Sequence, residues 1–147
     1  MREALEEAEL AGRAGELPIG AVVALDGLIV GRGRARQNER RTQLAHAELA
    51  ALLDAGEAIL TRHDEAVVVT TVEPCPLCLG ACVMADVPHI VYGLHDPYTA
   101  IPQAVTDLPY IRRHIVTYQG GLLAAESRAL FERYRSDALR YFPESAS

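Results

Sequence analysis

Ala66-Val67-Val68-Val69-Thr70-Thr71-Val72-Glu73-Pro74-Cys75-Pro76-Leu77-Cys78 is the stretch whose reading decides the fold. Its first half, Ala66 to Thr71, is short, apolar and strongly β-branched, which is the composition of a buried central strand. Pro74 and Pro76 then stop the strand, because proline has no N–H for the ladder. Proline is tolerated in the first turn of a helix, so Leu77 to Met84 reads as a helix that starts directly after the strand.

Working outward toward the C-terminus, His89-Ile90-Val91-Tyr92-Gly93 reads as another strand, Leu94 to Leu108 as a loop, and Ile115-Val116-Thr117-Tyr118 as a last strand. A long amphipathic helix is expected from Leu122 to Tyr141, with Leu122, Leu123, Leu130, Phe131, Tyr134 and Leu139 on its apolar side. Toward the N-terminus, Ala4, Leu5, Ala8, Leu10 and Ala11 give an opening helix that ends near Gly12 to Gly15. Pro18 to Leu25 and Leu28 to Gly31 flank Asp26-Gly27, a hairpin signal, because glycine takes the positive φ of a tight turn. Arg32 to Gln43 reads as a loop and Leu44 to Ala55 as a helix closed by Gly56. The alternation of strands and helices predicts one α/β layered domain over residues 1–147.

The bulk composition limits the function classes. Half of the 147 residues are hydrophobic, the profile of an ordinary globular chain. Met1 to Glu7 is acidic rather than basic and apolar, and no stretch is apolar enough to span a bilayer, so a cytoplasmic address is expected and no membrane partner. A formal charge of -6 has the wrong sign for a chain that grips a phosphate backbone over a broad face. Arg32, Arg34, Arg36, Arg40 and Arg41 crowd one segment, which reads as a solvated loop offset by acidic helices. Three cysteines, two of them in Cys-x-x-Cys, fit metal or redox chemistry better than a disulfide framework.

His46 at the start of one expected helix, with Cys75 and Cys78 at the start of another, supplies three zinc ligands. A catalytic zinc takes three protein ligands and keeps one position for water, whose pKa it lowers toward neutrality. The two-residue gap lets both thiolates reach one ion from one helical turn, and the helix N-terminus favours their deprotonation. Glu48, two residues after His46, falls near the ion yet points differently, as a proton shuttle must. Cys82 lies one turn beyond Cys78; as a fourth ligand it would close the site, but a cysteine at an apolar helix position is usually simply buried. A redox role for Cys75 and Cys78 would leave His46 and Glu48 unexplained.

His46-Ala47-Glu48 followed by Pro74-Cys75-Pro76-Leu77-Cys78 resembles the signature of zinc nucleobase deaminases. The wider stretches Thr71 to Ala81 and His46-Ala47-Glu48-Leu49, with Pro18 to Val22 and Gly120 to Ala124, are similar to the cytidine deaminase-like superfamily, in its branch of tRNA adenosine, guanine and cytosine deaminases. The resemblance covers nearly the whole chain. It implies a three-layer α/β/α fold with a central five-stranded mixed sheet, one Zn2+ per chain and a homodimer. It also implies that the backbone at Pro74 and Cys75 contacts the reacting amino group, and that the loop leaving the fourth strand, with His95 and Asp96, forms the pocket rim, where Tyr98 is a further candidate. The family often places an asparagine in the loop before the histidine. A gapless count puts Ala35 there, and Asn38 is the nearest asparagine.

The leading expectation is a hydrolytic deaminase of a nucleobase, nucleoside or related small heterocycle, releasing ammonia. The alternative is editing of adenosine to inosine in a tRNA anticodon loop, to which Arg128, Arg133, Arg135 and Arg140 would contribute a basic helix face. A third reading, a non-catalytic zinc-binding subunit, fits poorly with the presence of Glu48. Tyr141 and Phe142 are expected in a core or subunit contact rather than over the pocket, and His63 and His89 at the surface or in packing.

Overall fold

The structure, a computed structural model, describes residues 1–143; the last four residues of the expected 1–147 domain lie outside the described residues. Helix α1 (Arg2–Arg13) leads to the hairpin β1 (Gly20–Leu25) and β2 (Leu28–Arg34). Its turn is Asp26-Gly27, both at positive φ (54° and 74°), the conformation a two-residue hairpin turn demands. A single helical turn α2 (Gln37–Arg40), then α3 (Ala47–Ala55) and α4 (Glu57–Leu60), precede the central strand β3 (Val67–Val72). The second half runs α5 (Pro76–Met84), β4 (His89–Leu94), α6 (Ile101–Asp107), α7 (Pro109–His114), β5 (Thr117–Gln119) and α8 (Ala124–Tyr134).

The five strands form one sheet in the order β2-β1-β3-β4-β5. β1 pairs antiparallel with β2 and β3, whereas β4 pairs parallel with β3 and β5, so the sheet is mixed as the resemblance implies. On one face, Ala47, Ala51 and Leu52 of α3 and Leu79, Cys82 and Val83 of α5 bury against Val23, Val68 and Ile90. On the other face α8 packs through Phe131, which joins Val72, Leu94 and Phe142 in a second cluster. A buried hydrogen bond from Ser127 Oγ to the Thr71 carbonyl (2.7 Å) fixes α8 to the central strand. Gly31 and Gly33 are what let α3 lie directly on β2: a Cβ at either would collide with the α3 backbone at Ala51 or Ala47. The start of α3, where His46 and Glu48 sit, is thereby pressed against the sheet.

Several expected boundaries move. The helix expected from Leu44 begins at Ala47, leaving Leu44 60% exposed. Arg32 to Arg34 extend β2 instead of opening a loop, and α2 interrupts the rest of the arginine-rich segment. The loop expected over 94–108 contains α6, and α7 follows it. Pro102 and Pro109 sit in the first turns of these helices, where the missing N–H costs nothing. The last strand starts at Thr117; Ile115 packs into the first core cluster and Val116 bonds through its N–H to the Pro88 carbonyl. The final α-helix stops at Tyr134, because Arg135 leaves helical backbone (φ −148°), and a 3-10 segment, Ser136–Tyr141, brings Ala138 against the cluster of Val72 and Leu94 at the ends of β3 and β4. Leu122 and Leu123 precede this helix rather than forming part of its apolar side.

Candidate active site

The site is assembled where two helix N-termini meet the C-terminal end of β3. His46 is the N-cap of α3 and Cys75 the N-cap of α5, both in extended backbone, with Cys78 in the first turn of α5. One potential ligand atom from each lies within 4.8 Å of the others. The His46 Nδ1 atom stands 3.5 Å from Cys75 Sγ and 3.4 Å from Cys78 Sγ. Around a tetrahedral zinc, with Zn–S near 2.3 Å and Zn–N near 2.0 Å, sulfur and nitrogen ligands stand roughly 3.5 Å apart, so the donor set and its spacing both fit that ion. Cys82 is outside this group, fully buried in the apolar core, with burial pushing its thiol pKa up to about 12.

The electrostatics of the trio suit a soft cation. The hydrogen bond with Cys78, aided by His46, holds the Cys75 pKa down at about 4, so this sulfur is a thiolate at neutral pH. The bond to Cys75 and burial push the Cys78 thiol up. The His46 pKa is raised, first by its bond to Cys75, with the Gln43 backbone contributing.

Glu48 is buried (4% exposed) beside this trio. Its Oε1 accepts a hydrogen bond from Thr70 Oγ1 (3.1 Å), and its Oε2 lies 3.3 Å from Cys78 Sγ. Burial raises its pKa, the direction that brings a carboxylate toward the operating pH of an acid–base group. Thr70 therefore fixes one oxygen and leaves the other facing the sulfur cluster. The sequence singled out Thr70 only as a strand residue.

Glu73 is the other residue to which the sequence alone assigns no role. Its carboxylate is fully enclosed and accepts hydrogen bonds from Tyr118 Oη (2.7 Å) and the Asp96 N–H (2.9 Å), and it pairs with His95 Nδ1. This hub ties the ends of β3 and β4 and the strand β5 together two residues before Cys75. Tyr118 is held protonated by its burial and by Glu73. The only signal in sequence was a carboxylate between an apolar strand and a Pro-Cys motif.

Above the trio opens a cavity of about 470 Å³ lined by His46, Glu48 and Cys75. Asp96 and Tyr98 line it, whereas His95 lines a separate surface cleft and is engaged by Glu73. Pro74 is buried behind Cys75 and is not part of the cavity wall. Tyr141 and Phe142 line the cavity, Phe142 while also packing on Phe131 at 4.9 Å. Phe142 is buried in the core as expected, while the 3-10 segment brings the half-exposed Tyr141 to the cavity. His89 bonds to Thr117 and His63 to the Asp86 carbonyl, both remote from the cavity.

A mixed five-stranded sheet with a His, Cys, Cys cluster and a buried carboxylate at the edge of its central strand defines a cytidine deaminase-like zinc domain. Residues 1–94 match the cytidine and deoxycytidylate deaminase zinc-binding region, and the chain belongs to that family. It is 41% identical over 145 residues to the tRNA(Ile)-lysidine synthase of Deinococcus radiodurans, covering 95% of this chain but only 25% of that protein. A solved structure from work on tRNA:A34 deaminases superposes with a TM-score of 0.78 at 35% identity, over 88% of this chain and 96% of that one. The guanine deaminase from Nitrosomonas europaea superposes at 0.72 with 26% identity, over 90% of this chain and 81% of its own.

Proposed function

We propose that this chain is a zinc-dependent hydrolytic deaminase domain acting on a neutral nucleobase, nucleoside or related small heterocycle. The observation that carries the reading is the buried Glu48 carboxylate, 3.3 Å from Cys78 Sγ, lining a cavity together with His46 and Cys75 of the zinc-competent trio. A non-catalytic zinc subunit has no use for a carboxylate buried there at such cost.

His46, Cys75 and Cys78 would hold the ion, which when bound supplies the Lewis acidity that makes water a nucleophile near neutral pH. Water adds to the carbon that bears the amino group. One of its protons goes to the neighbouring ring nitrogen and the other to the amine; the C–N bond then breaks, leaving a carbonyl and ammonia. Glu48 is the group placed to carry both protons, holding each on Oε2 while Thr70 anchors Oε1. The Cys75 backbone and Asp96, which line the cavity, are the proposed contacts to substrate, whereas Pro74 lies behind Cys75 and only positions it.

Charge supports a neutral substrate. The cavity wall carries Glu16, Glu48, Glu73, Asp96 and Asp137 against Arg135 and Arg140. Arg135 is bound by two 2.9 Å bonds to Asp137, and Arg34 and Arg36 pair with Glu7 and Glu39. Of the four arginines of the expected basic face, Arg133 and Arg135 pair with Glu9 and Asp137, while Arg128 and Arg140 bond to the Phe142 carbonyl and the Tyr141 hydroxyl rather than to a carboxylate. The second reading, adenosine in a tRNA anticodon loop, is favoured by the closer likeness to tRNA:A34 deaminases than to the guanine enzyme.

The reading includes a homodimer and a cytoplasmic setting. Leu53, Leu60 and Met84 on the α3–α5 face are each more than 70% exposed, which supports the first. Three free cysteines support the second, and among the described residues no helix is long and apolar enough to cross a membrane. The test is ammonia release from bases, nucleosides and triazine analogues beside an anticodon stem-loop. Turnover of a small molecule is expected; turnover of RNA alone would move the assignment to the second reading, and none at all would refute both.

A further inference from the structure

The cavity wall facing α3 comes from the segment between β2 and α3, and three of its side chains are accounted for. Ala35 offers only a methyl group and is 1% exposed. Asn38 donates its amide to the Gly15 carbonyl (3.2 Å) and its N–H to Glu16 (3.0 Å), so its side chain is turned to the loop after α1. Gln43 is exposed, where solvent serves it. Gln37 differs: its Oε1 is sealed from solvent and has no hydrogen-bond partner, the one buried side-chain polar atom in that condition among the described residues.

We propose that Gln37 is a specificity-determining residue of the cavity, whose side-chain amide hydrogen-bonds the polar edge of the bound heterocycle. The inference rests on the cavity being the deaminase site. A buried acceptor without a donor is a cost the fold does not recover, and folded proteins retain few of them. Here the orphan belongs to the wall of the same cavity as Glu48 and His46. Its backbone is fixed: the Thr42 N–H bonds the Gln37 carbonyl (3.1 Å), and Glu16 takes the N–H groups of Asn38 and Glu39 (3.0 and 2.8 Å). The terminal torsion of a glutamine is broad and roughly two-fold, so rotation about it exchanges oxygen and nitrogen in this wall of the cavity. A carboxamide is a donor beside an acceptor, so it matches a base edge with the same pair, as aminopurines and lactam bases have. Gln37 thus takes over the recognition that Ala35 cannot give and Asn38 is not free to give.

The test separates binding from turnover. Zinc-loaded Glu48→Ala protein, with and without Gln37→Met, is titrated calorimetrically with 8-azaguanine, 2,6-diaminopurine, cytosine and adenosine, and its melting temperature is recorded. Methionine keeps the volume and deletes the amide. The expected result is that Gln37→Met weakens the best-bound probe by roughly 3- to 10-fold, the value of one neutral hydrogen bond, without lowering the melting temperature or the zinc content. Affinities within twofold for every probe, or binding of none by either protein, would overturn the proposal. Binding that depends on Gln37, in a protein whose wild type releases no ammonia, would keep Gln37 as a ligand contact of the cavity and refute the deaminase reading.

Discussion

Replacing Tyr118 with Phe tests whether Glu73 is the hub that holds the site's strands together. The substitution keeps the ring, which packs on Tyr92 at 5.1 Å, and deletes only the hydroxyl that donates to Glu73 Oε1 at 2.7 Å. A hydrogen bond to a charged group contributes about 1.5–3 kcal/mol. Glu73 keeps the Asp96 N–H and His95, so the lower end applies, about 1.5–2 kcal/mol. For a chain of this size that lowers the melting temperature by roughly 5–7 °C. The pH dependence gives a second readout. Burial and Glu73 raise the Tyr118 pKa above 10.0, so its contribution is full below pH 10 and is lost as pH rises further, when the unfolded phenol ionises and the folded one does not. Thermal unfolding of the zinc-loaded proteins followed by circular dichroism should therefore show a gap at pH 7 that narrows above about pH 10. Equal melting temperatures at pH 7, or a gap independent of pH, would refute the hub.

Metal analysis should find zinc lost from Cys75→Ser and Cys78→Ser and retained at one per chain in Cys82→Ala; zinc loss in the last would mean a closed, four-ligand site. Phe131→Ala, which empties a fully buried ring position, should cost about 3–5 kcal/mol in denaturant titrations. It should also raise KM, because Phe142 rests on that ring and lines the cavity. An unchanged KM would show that the 3-10 segment holds its place without Phe131.

That His46, Cys75, Cys78 and Glu48 would meet at one place was legible because the expected chemistry fixes their local spacing: two thiols on one helical turn, and a carboxylate two residues from a helix-capping histidine. The central strand and the hairpin were legible from β-branched residues and Asp-Gly. What sequence could not show depends on contacts between distant segments. Thr70 is one more β-branched strand residue until Glu48, 22 positions earlier, is laid beside it, and Glu73 gains its role only when β4 and β5 bring Asp96, His95 and Tyr118 to it. α6 and α7 are only seven and six residues long, too short for an apolar period to stand out, although Pro102 and Pro109 sit in their first turns, where proline is tolerated. The break at Arg135 was invisible to periodicity, since Leu139 continues the apolar pattern of α8 into a segment that turns away to wall the cavity.

Glu48→Ala tests the central claim most directly, through zinc content, melting temperature and ammonia release measured beside the wild type. The carboxylate is buried and stands outside the His46, Cys75 and Cys78 trio, so the variant should keep one zinc per chain and its fold while losing turnover by at least about 10²-fold, the scale of positioned acid–base catalysis. A zinc-loaded Glu48→Ala protein that turns over near the wild-type rate would contradict the account.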